Sequence, residues 1–263
     1  MANHERLASR RCILYYITDR AAFAADEPTR RRRLLEKIAE AVHAGVDYIQ
    51  LREKDLPTRE LESLAHEAFQ TVHGSRGLAS EPAPLTPALL INSRTDVALA
   101  AGVDGVHLRS DDVSPPEVRA IWRRSHEEGR IHLGTAALES LPRAQARGPA
   151  AQRSRGSISP GPPLIAVSCH SPEEVTIAEQ DGATFAVFAP VFEKNDAPGT
   201  QPAGLIQLRE ACKAKIPVLA LGGVTLENAD ACLKAGATGI AAIRLFQENE
   251  MAMVAATLRR LAL

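Results

Sequence analysis

Short apolar runs rich in β-formers alternate along this chain with longer stretches whose apolar residues recur at helical spacing. Cys12–Thr18 (CILYYIT) reads as a buried strand, and Arg33–Ala44 as a helix through Leu34, Leu35, Ile38, Ala41 and Val42. Val46–Leu51 is the next strand, followed by a helix opening near Pro57–Thr58 and running to Val72. Leu89–Asn92 and Gly105–Leu108 are further strands, with a short helix at Asp96–Ala101 between them and another starting at Pro115–Trp122. Leu164–Ser168, Phe185–Ala189, Pro217–Leu221 and Gly239–Ile243 supply four more strands, with helical stretches at Glu173–Asp181, Ile206–Ala214 and Leu226–Ala235. Strands separated in this way by helices predict an α/β fold with a parallel sheet, and eight of them predict a closed (β/α)8 TIM barrel.

The punctuation is regular. Ala44-Gly45-Val46-Asp47 and Ala101-Gly102-Val103-Asp104 each end a helix and open a strand, and Gly182-Ala183-Thr184 and Ala235-Gly236-Ala237-Thr238 are close variants. A glycine there suits the left-handed residue that closes a helix. Three segments break the pattern: Ala21–Arg33, with its Arg30–Arg33 run; Gly74–Pro87, rich in Pro, Gly and Ser; and roughly His126–Pro163, which has no usable periodicity. The last reads as a long irregular insertion before strand five, in a single domain spanning 1–263. The arginine run reads as a solvated helix start.

Composition narrows the function classes. The 263 residues are 45% hydrophobic and 24% charged, as in a globular protein with a sizeable core. With Lys+Arg 31 against Asp+Glu 32 the net charge is -1, which argues against nucleic-acid binding by bulk electrostatics, and 4% aromatics are too few for a base-stacking platform. No apolar run spans a bilayer, and Met1–Arg11 is polar, which argues against secretion. Cys12, Cys169, Cys212 and Cys232 show no CxxC spacing, so reduced thiols in a cytoplasmic protein are expected.

In a barrel the reactive face lies at the carboxyl ends of the strands. Strand two ends in Gln50-Leu51-Arg52-Glu53-Lys54, strand three in Asn92-Ser93-Arg94, and strand four runs on through Arg109, Ser110, Asp111 and Asp112. Strand five ends in Ser168-Cys169-His170, strand six leads to Phe192, Glu193 and Lys194, strand seven to Gly222-Gly223, and strand eight to Ile243 and Arg244. Cations at one rim with Gly-Gly after strand seven suggest a phosphorylated ligand: glycine amides approach phosphate oxygens closely, while Arg52 and Arg244 offer bidentate contacts and Lys54 a point charge. The same Gly-Gly also fits a tight turn. Asp111 and Asp112 suit Mg2+ or, equally, an acidic helix start. His170 is placed for general acid–base work, whereas His107, one residue inside its strand end, reads as a hydrogen-bonded core or rim histidine. Cys169 should face the opposite side of its strand and serve packing.

These residues, in this order, resemble the thiamine-phosphate synthase and TenI-type thiazole tautomerase superfamily. The resemblance rests on LYYITD (14–19), QLREKD (50–55), Ile91-Asn92, DGVHL (104–108), Ser168-Cys169-His170, Pro190-Val191-Phe192, LGGV (221–224) and GATGI (236–240). It implies a transferase of thiamine biosynthesis that joins a pyrimidine methyl diphosphate to a thiazole phosphate, releasing pyrophosphate. The diphosphate leaves first and the thiazole nitrogen captures the pyrimidine-methyl cation. The resemblance further implies that Gln50, Arg52, Lys54 and Asn92 hold the diphosphate and that Asp112, with Asp111, binds Mg2+. Ser168 would then sit near the reacting atoms, and Gly222, Gly223 and the turn after Ile243 would hold the thiazole phosphate. Barrels of this family often pair, so a homodimer accords with the resemblance; nucleic-acid or membrane partners do not.

The sequence also departs from the synthase pattern. Ser93 stands where that pattern has a metal-binding Asp, and Arg109-Ser110-Asp111-Asp112 replaces Gly-Gln-x-Asp. The family lysine after strand six aligns with Ala197, so Lys194 would serve in its stead, and a Ser-x-x-Ser near strand eight is replaced by Ala241 and Arg244. Two further readings follow: a thiazole tautomerase in which His170 shuttles the proton, or a non-catalytic barrel that binds thiazole or thiamine phosphates.

Overall fold

The protein was analysed as a computed structural model, which describes residues 11–74, 86–139, 162–193 and 201–262. Its eight strands are β1 (Ile13–Ile17), β2 (Tyr48–Leu51), β3 (Ala88–Asn92), β4 (Gly105–Leu108), β5 (Leu164–Cys169), β6 (Phe185–Phe188), β7 (Val218–Ala220) and β8 (Gly239–Ala242). All pair in parallel with their sequence neighbours, and β8 returns to β1 through Ile13↔Gly239 and Tyr16↔Ala242, so the sheet closes in chain order. Helices α1 (Glu27–His43), α2 (Thr58–His73), α3 (Thr95–Ala101), α4 (Pro115–Glu139), α5 (Pro172–Gln180), α6 (Gly204–Ala211) and α7 (Ala229–Lys234) connect successive strands. Beyond β8 come α8 (Arg244–Gln247) and α9 (Met251–Leu261). This is the (β/α)8 barrel that the strand spacing predicts.

Alternation along each strand sorts the core into two layers. Tyr15, Ile17, Leu90, Ala166, Phe185, Val187, Leu219 and Ala241 form the barrel interior, while Leu14, Tyr16, Ile49, Leu89, Ile91 and Ile165 pack outward against the helices. Tyr48 stacks on Phe185 at 4.7 Å between ring centroids, closing the floor of the barrel. The same parity points Gln50, Asn92, His107 and Ser168 inward at the carboxyl ends.

The AG-x-(D/T) motif has a second purpose besides its glycine. Gly102, at φ 66, closes α3 with its N–H on Ala98 O and Leu99 O. Two residues later the Asp104 carboxylate accepts the Leu89 N–H at 2.8 Å, as Asp47 accepts the Leu14 N–H at 2.7 Å and the Thr184 hydroxyl the Ile165 N–H at 3.0 Å. Each of these side chains fastens the start of the preceding strand, so the repeat is a structural stitch at the amino-terminal end of the barrel.

Two irregular segments hold more helix than their periodicity shows. α1 begins at Glu27, six residues before the expected start, because Asp26 caps it by accepting the Thr29 N–H and Pro28 suits its first turn. The Arg30–Arg33 run therefore lies within α1, where Arg31 reaches across to Glu67 and Ser63 of α2. Helix α4 continues to Glu139, so the expected insertion at 126–163 is helical over its first part; residues 140–161 lie outside the described residues, as do most of those in the Gly74–Pro87 segment. Helix α9, which the strand-and-helix reading passed over, buries Met251, Val254, Ala255 and Leu258 at helical spacing. Its Arg259 bonds Cys12 O, Gly45 O and Asp47, which ties the chain's last helix under β1.

Candidate active site

The mouth of the barrel is built from strand ends far apart in sequence. At its centre, inside the wall, Tyr15 of β1, His107 of β4 and Ser168 of β5 form one hydrogen-bonded line: Tyr15 Oη to His107 Nδ1 at 2.9 Å and His107 Nε2 to Ser168 Oγ at 2.7 Å. The proton order follows from counting donors. Tyr15 is fully buried, and no other described acceptor meets its hydroxyl, so its O–H donates to Nδ1. Burial pushes the phenol well above its usual range, which keeps that proton in place. His107 therefore carries its hydrogen on Nε2 and donates it to Ser168.

Burial of the imidazole, with the Arg52 charge as the second cause, lowers the His107 pKa from 6.5 to about 3; Asp112 acts weakly in the opposite direction. His107 is thus a neutral donor at physiological pH and cannot take the Ser168 proton. The pair looks like a nucleophile and its base but has the opposite polarity, leaving the Ser168 O–H to point onward to a ligand acceptor.

Arg52 and Asp112, which bias His107 electrostatically, flank this line. The Arg52 guanidinium finds no hydrogen-bond or ion-pair partner among the described residues, whereas its backbone N–H is held by Thr18 Oγ1 at 3.0 Å. Gln50 Nε2 donates to Asn92 Oδ1 at 2.8 Å, and Asn92 Nδ2 to Ser93 Oγ at 3.2 Å. Gln50 Oε1 is buried with no partner among the described residues, a cost of roughly 1–3 kcal/mol that a ligand can relieve. Turning both amides over together keeps their mutual bond and presents an NH2 instead, so the pair serves a ligand donor or acceptor. Ser93 sits at φ 60, a left-handed conformation in which Asn and Asp are more at ease than Ser.

Opposite lie Gly222 and Gly223 at φ 96 and 65. A Cβ on Gly223 would stand 2.4 Å from Glu193 O, so the turn after β7 passes directly against the segment after β6. Among the described residues neither glycine N–H has an acceptor. Ile243 caps α8, and Arg244 stands exposed at its first position. Lys54 is exposed at the rim, and Lys194 lies outside the described residues.

His170 stands apart from the interior line. Its ring is exposed, and Nδ1 meets Ala189 O at 2.6 Å, which places the proton on Nδ1 and leaves Nε2 a bare lone pair. Cys169 faces outward and is buried, and burial lifts its thiol to about 12, consistent with packing.

Asp112 and Ser168 share the wall of a pocket of about 310 Å³ with Arg109, Ser114 and Glu174. A second pocket of similar volume, lined by Ile13, Pro217 and Thr238, opens at the amino-terminal ends of the strands, the face that serves stability in this fold. Among the described residues no three acidic, His or Cys groups form a protein-only metal cage. Mg2+ does not require one, since it takes one or two carboxylates with phosphate oxygens and water. Asp112, with its side chain 13% exposed and anchored by the Arg109 N–H at 2.7 Å, fits that need; Asp111, 68% exposed and paired to Arg109 at 3.0 Å, faces away into solvent. Sequence reading passed over Tyr15 and left His107 as a rim or core residue; strand parity was the available signal for both.

The sequence profile of the thiamine monophosphate synthase family (TMP-TENI) matches residues 14–151 and 131–246. The chain belongs to that family. A thiamine-phosphate synthase from Roseiflexus castenholzii is 32% identical over 237 residues, covering 89% of this chain and 81% of that one. One from Syntrophomonas wolfei is 32% identical over 234 residues, covering 88% and 86%. Among solved structures, a thiamine phosphate pyrophosphorylase from Pyrococcus furiosus superposes with a TM-score of 0.66 at 25% identity, covering 97% of this chain and 96% of that one. No helix among the described residues is long and apolar enough to cross a membrane.

Proposed function

We propose that this chain is a thiamine-phosphate synthase, joining hydroxymethylpyrimidine diphosphate to thiazole phosphate with release of pyrophosphate. The observation that carries the reading is the Arg52 guanidinium, which no described residue pairs, beside a buried, neutral His107 in a barrel of this family. The C–O bond to the diphosphate breaks first, and the thiazole nitrogen then forms a C–N bond to the same methylene. The demand on the protein is to take up the charge of the departing diphosphate, which preorganised donors in a sheltered site do well. Arg52 and Lys54 neutralise that charge, the Gln50–Asn92 pair fixes the pyrimidine diphosphate, and the Ser168 O–H, aimed by His107, donates to an oxygen of the leaving group. The Gly222 and Gly223 amides and the turn after Ile243, with Arg244 at the rim, receive the thiazole phosphate. Asp112 would hold Mg2+, which when bound adds positive charge on the diphosphate. None of these roles calls for a strong base, in keeping with a neutral His107.

The test mixes the purified protein with both substrates and Mg2+ and follows pyrophosphate release. Turnover that is lost in Arg52→Ala and falls about 10²–10³-fold in Ser168→Ala, the usual cost of removing one such donor, is expected. One observation favours a second reading: His170, its tautomer set by Ala189 O, offers a bare Nε2 suited to proton shuttling on a thiazole phosphate. Absence of turnover with tight thiazole phosphate binding, and isomerisation abolished by His170→Ala, would replace the synthase with a thiazole tautomerase.

A further inference from the structure

Glu53 is an unexpected charge between Arg52 and Lys54, since a carboxylate at the edge of an anion site opposes the ligand. The fold turns it away. Its side chain is 1% exposed, packed between the end of β1 and the β2–α2 loop, and both oxygens are in use. Oε1 accepts the Thr18 hydroxyl at 2.5 Å, and Oε2 accepts the Arg20 N–H at 3.0 Å and Arg20 Nη1 at 3.4 Å. Arg20 is anchored in turn by both oxygens of Asp55, at 2.8 and 3.0 Å, and by Glu27 at 2.7 Å.

Thr18 connects this network to the site. It is fully buried, and its Oγ1 accepts the Arg52 backbone N–H at 3.0 Å. An amide N–H only donates, so Thr18 must accept there and send its own proton elsewhere; the carboxylate of Glu53 is the acceptor present. The chain Arg52 N–H to Thr18 O–H to Glu53 therefore has a single polarity, and a charged terminus strengthens it. Arg52 thus leaves the end of β2 from a fixed backbone, and two-point recognition of phosphate by a long side chain depends on such fixing.

We infer that Glu53 and Thr18 are positioning residues for Arg52, holding the backbone from which its guanidinium reaches a diphosphate. This rests on the diphosphate reading of the mouth. Thr18→Val keeps the shape and removes the hydroxyl, Thr18→Ser keeps the hydroxyl, and Glu53→Gln sets an NH2 against the Arg20 donors. The probe is inorganic pyrophosphate with Mg2+, titrated calorimetrically into the full chain, with hydrogen exchange at the Arg52 amide read in parallel. Thr18→Val and Glu53→Gln should each weaken pyrophosphate about tenfold, and the double variant should be no weaker than the worse single, because both cut one chain. Thr18→Ser should stay within about twofold of the parent, and the Arg52 amide should exchange faster in Thr18→Val. Unchanged affinity or unchanged Arg52 exchange in Thr18→Val would overturn the inference while leaving the diphosphate site intact. A parent protein that does not bind pyrophosphate would overturn the diphosphate reading and this inference with it. Should Glu53→Gln fail to fold, the two Thr18 variants decide alone.

Discussion

Gly45 and Gly223 share a backbone conformation, at φ 71 and 65, yet differ in what surrounds them. A Cβ on Gly45 meets nothing within 4 Å, whereas one on Gly223 meets Glu193 O at 2.4 Å and Phe192 Cβ at 2.8 Å. Alanine at either position carries the left-handed penalty of about 1–2 kcal/mol. At Gly223 the backbone must also move, which loosens the bonds of Val191 N–H to Leu221 O and Phe192 N–H to Gly222 O, both 2.9 Å and worth about 1 kcal/mol each. Gly223→Ala should therefore cost about 2 kcal/mol more than Gly45→Ala, which at about 2–4 °C per kcal/mol for a chain of this size is a Tm lower by roughly 4–8 °C. Urea unfolding of both variants beside the parent measures the gap directly. Because Gly223 also lies in the candidate phosphate turn, its variant should lose thiazole phosphate affinity, and Gly45→Ala should not. Equal unfolding midpoints for the two variants would refute the claim that close approach, rather than φ alone, demands glycine after β7.

Three further expectations follow from the site and the core. His107 is charged below 6.5 in the unfolded chain but only near 3 in the folded one, so the unfolded state binds the extra proton between those values and stability falls as pH drops through that window. His107→Asn, which keeps a polar group but cannot titrate, should flatten that acid slope, by up to about 1.4 kcal/mol per pH unit, in urea melts from pH 7 to 4. Ser93→Asp places a carboxylate at a position whose φ of 60 suits it; the Mg2+ concentration giving half-maximal pyrophosphate release should fall several-fold, and no change would remove position 93 from the metal site. Burial lifts all four thiols, Cys12 and Cys212 to about 11 and Cys169 and Cys232 to about 12, so a thiol reagent at pH 8 should label the native protein slowly and four groups in denaturant.

Local pattern was enough for the architecture. Short apolar runs rich in β-formers and the AG-x-(D/T) caps located the eight strands of the barrel, and strand parity, once the strands are placed, turns Gln50, Asn92 and Ser168 toward the interior. Helix ends with little apolar period were misread: α1 starts at Glu27 behind its Asp26 cap, and α4 runs on to Glu139. What the sequence could not contain is azimuth, meaning which inward side chains meet across the lumen. Tyr15, His107 and Ser168 lie 92 and 61 residues apart, and only closure of β8 onto β1 sets them in one hydrogen-bonded line. Pairing of β1 with β2 brings Thr18 under Arg52 and seats Glu53 in an ionic network with Arg20, and the turn after β4 holds Asp112 on the Arg109 N–H while Asp111 faces solvent. The cause is physical: strand alternation is set by neighbours along the chain, whereas hydrogen-bond polarity and the titration of His107 depend on burial and on partners that distant strands supply.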